Sequence, residues 1–158
     1  MKRQGYLSWE SFFVSVAKVC AMRSKDPSTQ VGAVIVNPLK QIIATGYNGF
    51  PRGIDDNEFP WTKSQEAEWE NTKYPFVVHA ELNAIVNARA NLSDCSLYIT
   101  LFPCNECAKI IIQAGIKEVF YTGDKNIDSK EAQASIRMLK AANIPTKKIN
   151  DIIVEVTK

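Results

Sequence analysis

The chain has 158 residues, of which 46% are hydrophobic and 23% are charged, and its formal net charge is +2. This composition is typical of a soluble globular protein, and the length suits a single domain over residues 1–158. The positive charge is mild and scattered, which argues against a nucleic-acid partner. No stretch approaches the roughly 20 apolar residues of a membrane span.

The first residues do not resemble a signal peptide, because the basic start at Lys2-Arg3 is not followed by an apolar stretch. We therefore expect a cytoplasmic protein with no membrane partner. In that compartment the four cysteines are expected to be free thiols or metal ligands rather than disulfides.

Residues 8–22 are predicted to form the first helix, with Ser8 as its N-cap. Pro27 disfavours helical geometry at Asp26 and so ends the helical region. Apolar side chains recur at helical spacing and are expected to form the buried face, which comprises Phe12, Val16, Val19 and Cys20.

A hairpin and a long connection are predicted next. Residues 31–37 are almost continuously apolar and β-branched, which indicates a strand buried on both faces. The short turn that follows makes residues 41–47 its antiparallel partner. Residues 48–75 are polar and rich in glycine and proline, and so long a connection favours a functional role. A short helix near residues 64–71 is expected within it.

Strands and helices alternate through the second half of the chain. After a hairpin, this order indicates an α/β protein, a three-layer α/β/α sandwich with a mixed five-stranded sheet. A helix from Val78 to about Ala90 is expected to bury Leu82, Ile85 and Val86. The remaining segments are a strand at 96–100, a helix at 104–114 ended by Gly115, a strand at 118–121, a helix at 129–142 with Asp128 as its N-cap, and a strand at 152–156.

His79 is the only histidine of the chain, and Cys104 and Cys107 form a Cys-x-x-Cys pair downstream of it. One imidazole and two thiolates form a ligand set for one catalytic zinc, because a tetrahedral ion with three protein ligands keeps its fourth position open for water. Structural zinc sites usually have four protein ligands. No second histidine is present to complete such a set, so the sequence favours a catalytic site.

Glu81 is the candidate catalytic residue of this site. Both parts of the ligand set lie at predicted helix N-termini, where the helix dipole favours thiolates. Glu81 lies in the first helical turn and can reach the open metal position, where a carboxylate can carry protons between water and substrate. The alternatives are a closed structural zinc site or a buried histidine with two core cysteines, and neither gives Glu81 a role.

His-x-Glu followed by Pro-Cys-x-x-Cys resembles the signature of zinc nucleobase deaminases. From about residue 8 to residue 142 the chain resembles the deoxycytidylate (dCMP) deaminase family, whose fold is cytidine deaminase-like. The segment Gly46-Tyr47-Asn48-Gly49 separates this family from deaminases of free cytidine and of tRNA adenosine. The other matching segments are residues 23–27, 31–37, 74–85 and 101–109.

The resemblance implies zinc-dependent hydrolysis of dCMP to dUMP and ammonia, which feeds thymidylate synthesis. It also implies a homo-oligomer, often a hexamer, that dCTP activates and dTTP inhibits, each effector being bound with Mg²⁺. Glu81 is expected to take a proton from the attacking water, deliver it to ring nitrogen N3, and then protonate the departing amine.

Arg23, Ser24 and Lys25 are candidate contacts of the substrate phosphate, because two cations and a hydroxyl cluster at a helix exit. A basic helix end that complements the helix dipole is the alternative. The resemblance favours phosphate binding.

Asn48 is expected to contact the nucleotide sugar or the effector, with Gly49 beside it, since a glycine-flanked loop can approach a ligand closely. A plain turn asparagine is the alternative. Ala80 is a candidate for a backbone contact to the base, and Tyr121 is either a stacking residue near the substrate or a core aromatic.

Cys20 is expected to be a core residue of the first helix and Cys95 a thiol at the start of a strand. The second zinc of some family members uses an extra histidine that this chain lacks. Two other functions compete with dCMP deamination. One is a related deaminase acting on another small base, nucleoside or nucleotide. The other is a nucleotide-binding regulator without turnover, against which the intact Glu81 argues.

Overall fold

The structure, a computed structural model, describes residues 1–64 and 66–157. Within these ranges an α/β fold is built on one five-stranded sheet. The helices are α1 (Trp9–Ala21), α2 (Ala80–Asn87), α3 (Asn105–Gln113) and α4 (Lys130–Ala141), with one turn of 3-10 helix at Trp69–Asn71. The strands are β1 (Gly32–Val36), β2 (Ile42–Tyr47), β3 (Ser96–Leu101), β4 (Glu118–Gly123) and β5 (Thr146–Lys148).

The sheet has the strand order β2-β1-β3-β4-β5 and is mixed. β1 is antiparallel to both β2 and β3, whereas β4 is parallel to both β3 and β5. The central strand β3 is therefore the point where the hairpin joins the parallel part of the sheet. The predicted α/β class and the mixed five-stranded sheet are confirmed.

Helices cover both faces of the sheet. On one face α1 packs its Phe13 against Tyr98 of β3, with ring centroids 5.0 Å apart, and Tyr98 stacks on Phe120 of β4. On the other face α2, α3 and α4 enclose a larger apolar cluster that includes Ile111 and Leu139. The predicted three-layer arrangement follows from these two clusters.

The predicted buried face of α1 is wrong at Phe12 and Val19, whereas Val16 packs partly buried against the core and Cys20 is half-buried. The residues that pack on the sheet are Phe13, Val14, Ala17 and Ala21. Phe12 and Val19 are instead exposed. The helix has apolar side chains on two faces, and both satisfy helical periodicity. In α2, Val86 is likewise exposed rather than buried, because Ala80, Glu81 and Ala84 form the side that faces inward.

Two further expectations near the C-terminus are corrected. The last strand is Thr146–Lys148 and not residues 152–156, and it adds a short, hydrophilic edge to the sheet. Ile152, one of the apolar residues that suggested a strand at 152–156, instead packs against the apolar cluster between α1 and the sheet. The N-cap of α4 is Ser129 rather than Asp128, since its hydroxyl accepts a hydrogen bond from the backbone N–H of Ala132 at 3.2 Å.

The long connection between β2 and α2 contains an aromatic cluster. Phe50 packs on Trp61 at a centroid distance of 4.1 Å, and Phe59 packs on Phe76 at 4.9 Å. The helix predicted at 64–71 includes residue 65, which lies outside the described residues. Across the described ranges, no helix has the length and apolar character needed to cross a membrane.

Candidate active site

The candidate metal ligands lie where two helices begin at the same end of the sheet. His79 is the N-cap of α2 and Cys104 is the N-cap of α3, and both have extended backbone angles. Cys107 lies in the first turn of α3 and is buried, whereas His79 is open to solvent. Helix N-termini carry free backbone N–H groups and the positive end of the helix dipole, which favour negative charge at residues in these positions.

The three side chains that were predicted to bind zinc lie together. His79 Nδ1 is 3.3 Å from Cys107 Sγ and 3.5 Å from Cys104 Sγ. The ligand atoms all lie within 4.8 Å of one another. In a tetrahedral zinc site, with zinc ~2.3 Å from sulfur and ~2.1 Å from nitrogen, the sulfur and the nitrogen lie roughly 3.6 Å apart. The geometry and the donor set therefore fit one zinc ion, with the solvent side of His79 left for a fourth ligand.

A hydrogen bond between the two cysteines shifts their pKa values in opposite directions. A hydrogen bond from the Cys107 thiol lowers the pKa of Cys104 to about 4, and a hydrogen bond with His79 acts in the same direction. The pKa of Cys107 is correspondingly raised, first by this hydrogen bond and then by burial. The hydrogen bond to Cys104 also raises the pKa of His79. Three side chains that are hydrogen-bonded to one another in this way are suited to binding a cation, which would take the place of the protons between them.

Glu81 is a buried carboxyl next to this cluster. Its side of α2 faces inward, and the residue is only 4% exposed. Burial raises the pKa of Glu81 to about 7, although the charge of His79 opposes this shift. A carboxyl with such a pKa can both accept and donate a proton near neutral pH.

Gly46 of β2 determines how closely α2 approaches the sheet. A Cβ atom at this position would lie 2.2 Å from the carbonyl oxygen of Ala80 and 2.5 Å from the backbone nitrogen of Ala84. A glycine is therefore needed where the first turn of α2, which carries Glu81, crosses β2. Ala80, a predicted contact of the base, is fully buried, and its carbonyl lies against this glycine.

The predicted phosphate contacts lie beside the start of the long connection. Arg23 lies over the ring of Tyr47 at 5.9 Å from its centroid. Ser24 donates a hydrogen bond to the carbonyl oxygen of Asn48 at 2.8 Å. Lys25 forms an ion pair with Asp56. Arg23 and Lys25 are exposed cations, and phosphate binding by these residues stays a prediction.

Asn48 is a buried residue whose side chain is already bonded within the chain. Its Nδ2 donates to Asp26 Oδ2 at 3.2 Å and to the carbonyl oxygen of Thr29 at 2.9 Å, while its Oδ1 accepts from the backbone N–H of Val31 at 2.8 Å. Gly49 forms an isolated antiparallel bridge with Val78. The ligand contacts predicted for Asn48 and Gly49 are therefore additional to a role in holding the loop.

Tyr121 is half-buried and packs edge-to-face on Phe102, with ring centroids 4.9 Å apart. It belongs to the edge of the core cluster under α2–α4, so its predicted stacking on the substrate stays a prediction.

Cys20, Cys95, Cys104 and Cys107 are all free thiols. Burial raises the pKa of both Cys20 and Cys95. Cys95 is buried directly before β3, as predicted for a thiol at the start of a strand, whereas Cys20 is only half-buried.

The ion pair of Asp26 with Lys73 was missed by the sequence analysis. Both residues are buried and lie next to Asn48. Asp26 precedes Pro27, and Lys73 lies among polar residues, so the sequence made both look like surface-loop residues. Their pairing depends on the path of the long connection, which has no periodic pattern.

The fold and the site together define a zinc-binding deaminase. The family model described as the cytidine and deoxycytidylate deaminase zinc-binding region matches residues 7–123, a range that contains the candidate ligands and Glu81. The chain therefore belongs to the cytidine and deoxycytidylate deaminase family, whose enzymes are hydrolases.

Individual relatives point to one branch of this family. The chain is 52% identical over 148 residues to the deoxycytidylate deaminase of Mus musculus, and the match covers 93% of this chain and 83% of the relative. It is 51% identical to the probable deoxycytidylate deaminase of Drosophila melanogaster, with 93% and 75% covered. The structure of dCMP deaminase from the cyanophage S-TIM5 in complex with dCMP and dUMP aligns with a TM-score of 0.71 at 30% identity, covering 94% of this chain and 99% of that chain.

Proposed function

We propose that this chain is a zinc-dependent deaminase that hydrolyses dCMP to dUMP and ammonia, and so supplies dUMP for thymidylate synthesis. The observation that carries the proposal is the buried carboxyl of Glu81 beside the His79–Cys104–Cys107 cluster. The deoxycytidylate deaminases that resemble the chain over most of its length support the choice of substrate.

In this proposal His79, Cys104 and Cys107 hold one zinc ion per subunit, and Glu81 moves the protons. Zinc supplies a Lewis acid that acidifies a water molecule near neutral pH. Glu81 takes a proton from the attacking water and delivers it to N3 of the cytosine ring. The water oxygen forms a bond to C4, and Glu81 takes the remaining proton from that oxygen and passes it to the amino group on C4. The C4–N bond then breaks as C4=O forms, which releases ammonia.

The substrate phosphate is assigned to the exposed cations Arg23 and Lys25, with Ser24 between them. Phosphate prefers such paired, charge-assisted donors. For Lys25 this contact has to displace Asp56, its present partner. Asn48 is proposed to contact the sugar, Ala80 to offer its backbone to the base, and Tyr121 to stack near the substrate.

Regulation by dCTP as activator and dTTP as inhibitor, each with Mg²⁺, is also proposed. Its support is the resemblance of Gly46-Tyr47-Asn48-Gly49 to the regulated family. Gly49, next to Asn48, is bridged through its backbone to Val78, the neighbour of His79. An effector bound there would act on the metal site through this short connection.

A homo-oligomer, with a hexamer favoured by the family resemblance, is the proposed assembly. Its support within the chain is the outer face of α1. This face presents exposed apolar side chains that no other described part of the chain covers, namely Trp9, Phe12, Val19 and Met22.

The test is a set of deamination assays followed by ultraviolet absorbance with zinc-loaded protein. The substrates are dCMP, dCTP, deoxycytidine and guanine, and dCMP is assayed again with dCTP or dTTP added as effectors. We expect kcat/KM for dCMP to exceed that for deoxycytidine by roughly tenfold or more, because hydrogen bonds to a charged group contribute about 1.5–3 kcal/mol. Equal turnover of deoxycytidine, or faster turnover of guanine, would refute dCMP as the substrate.

A further inference from the structure

A buried ion pair connects two distant parts of the chain near the candidate metal site. Lys73 Nζ donates to a carboxylate oxygen of Asp26, which is 47 positions away in the sequence. The two side chains are 10% and 1% exposed. Charged groups are rarely buried to this extent unless they are paired, and the proposed reaction uses neither residue.

The Asp26 end of this pair is fixed to the loop that enters β1. Its Oδ1 accepts hydrogen bonds from the backbone N–H groups of Ser28 at 2.8 Å and Thr29 at 3.2 Å. Its Oδ2 accepts from Asn48 Nδ2 as well as from Lys73. Because all these partners belong to the protein, the carboxylate is held in one position relative to the sheet.

The Lys73 end forms the turn that precedes α2. Its backbone N–H donates to the carbonyl oxygen of Thr62 at 2.9 Å, and its own carbonyl oxygen accepts from the N–H groups of Phe76 at 3.1 Å and Val77 at 3.0 Å. Val78 then exchanges two hydrogen bonds with Gly49, at 2.8 and 3.1 Å. His79 is the next residue, so the turn that leads to it is anchored at both Lys73 and Gly49.

We propose that Asp26, Lys73 and Asn48 form a positioning cluster that fixes His79 against the two cysteines. Through Asp26 and Asn48 the cluster is tied to β1, which pairs with β3, and β3 leads into Cys104. Through Lys73 it is tied to the turn before His79. The cluster therefore joins the two pieces of chain that carry the metal ligands. The inference rests on the proposed metal site but not on which substrate is deaminated.

The test is the variant Lys73→Met, which keeps the length of the side chain and removes its charge. Zinc release to a coloured chelator is measured at a temperature where circular dichroism shows the variant to be folded. We expect roughly tenfold faster release than from the unmodified protein, since residues that orient metal ligands typically change metal affinity by 10–100-fold. We also expect a fall in kcat larger than the change in KM, because Lys73 is not among the proposed substrate contacts.

Lys18→Met is the matched control, because it removes a lysine from an ion pair with Asp151 on the opposite face of the sheet. Its zinc release is expected to equal that of the unmodified protein. Zinc release from folded Lys73→Met at the unmodified rate would overturn the proposal, and so would equally fast release from both variants.

Amide hydrogen exchange of the unmodified protein provides a second measurement that needs no variant. The N–H groups of Val77 and Val78 are expected to exchange as slowly as those of β1. Exchange as fast as in the exposed part of the long connection would overturn the proposal. If the unmodified protein bound no zinc, the proposed function would fail, and this exchange measurement would still decide whether the cluster holds the turn.

Discussion

Glu81 combines two properties that are rarely found together in a glutamate. It is almost completely buried, and its partners in that environment are the groups that are proposed to bind zinc. A buried carboxyl without a function would be a cost to stability, because the charged form loses its hydration. Its position in the first turn of α2 is therefore best explained by the chemistry of proton transfer.

Replacing Glu81 by glutamine is expected to lower kcat for dCMP roughly 100-fold to 10 000-fold, the range that general acid–base catalysis contributes. Zinc content, measured by atomic absorption, is expected to stay at one ion per subunit because the ligands are unchanged. Glu131→Gln is the control, since Glu131 also lies in the first turn of a helix but is exposed on α4. Residual activity within tenfold of the unmodified enzyme would contradict a proton-carrying role for Glu81.

The sequence predicted the candidate metal ligands but not the residues that we propose to position them. His79, Cys104 and Cys107 are recognisable because donor atoms of this kind are rare and their spacing follows from helix geometry. Asp26 and Lys73 are common residue types in polar surroundings. Their pairing is a tertiary contact, and no local pattern encodes it.

Two glycines on neighbouring strands let helices pack closely on opposite faces of the sheet. A Cβ at Gly32 of β1 would lie 1.8 Å from the carbonyl oxygen of Ala17 in α1, and a Cβ at Gly46 of β2 would meet the backbone of α2. Backbone atoms cannot move aside as a flexible side chain can. Each glycine therefore fixes the distance of one helix from the sheet, but only α2 carries a catalytic candidate.

Gly32→Ala and Gly46→Ala are both expected to destabilise the fold by about 2–3 kcal/mol, as overpacked cores do. Thermal melting followed by circular dichroism should show midpoints lower by roughly 5–10 °C. When activity is measured well below these midpoints, Gly46→Ala should be less active than Gly32→Ala, because only Gly46→Ala displaces the helix that bears Glu81. Equal activity of the two variants would mean that α2 can shift without disturbing the site.

Element types were predictable from periodicity, whereas the choice of buried face and the last strand were not. In α1, the face with Phe12 and Val19 and the face with Phe13 and Ala17 are both apolar, so the pattern alone cannot show which one meets the sheet. Thr146–Lys148 lacks any apolar alternation because it is a hydrophilic edge strand. Its position is determined by pairing with β4 and not by its own composition.

The exposed face of α1 bears on the assembly of the whole molecule. Its large apolar side chains are uncommon on a monomer surface, and contiguous patches of this kind usually mark contacts with other molecules. Phe12→Glu combined with Val19→Lys is expected to shift the protein to a smaller species in sedimentation velocity experiments, because charged groups are costly to bury at an interface.

Leu39→Lys is the control, since Leu39 is also an apolar and exposed residue but lies at the turn of the β1–β2 hairpin, away from α1. It should leave the sedimentation coefficient unchanged. If the α1 double variant sedimented like the unmodified protein, the outer face of α1 would not be the surface of self-association.

The central position of β3 has a consequence for the order in which the molecule folds. Ile99 pairs with Tyr121 on one side and with Ala33 on the other, and the second contact closes a much longer stretch of chain. Closing a longer stretch of chain costs more conformational entropy, so contacts that require it form more slowly. The β3–α3–β4 unit, which carries both cysteines, should therefore assemble first, and His79 should arrive only when the β1–β2 hairpin docks. Metal capture is then a late event, which completes a fold that the apolar core has already specified.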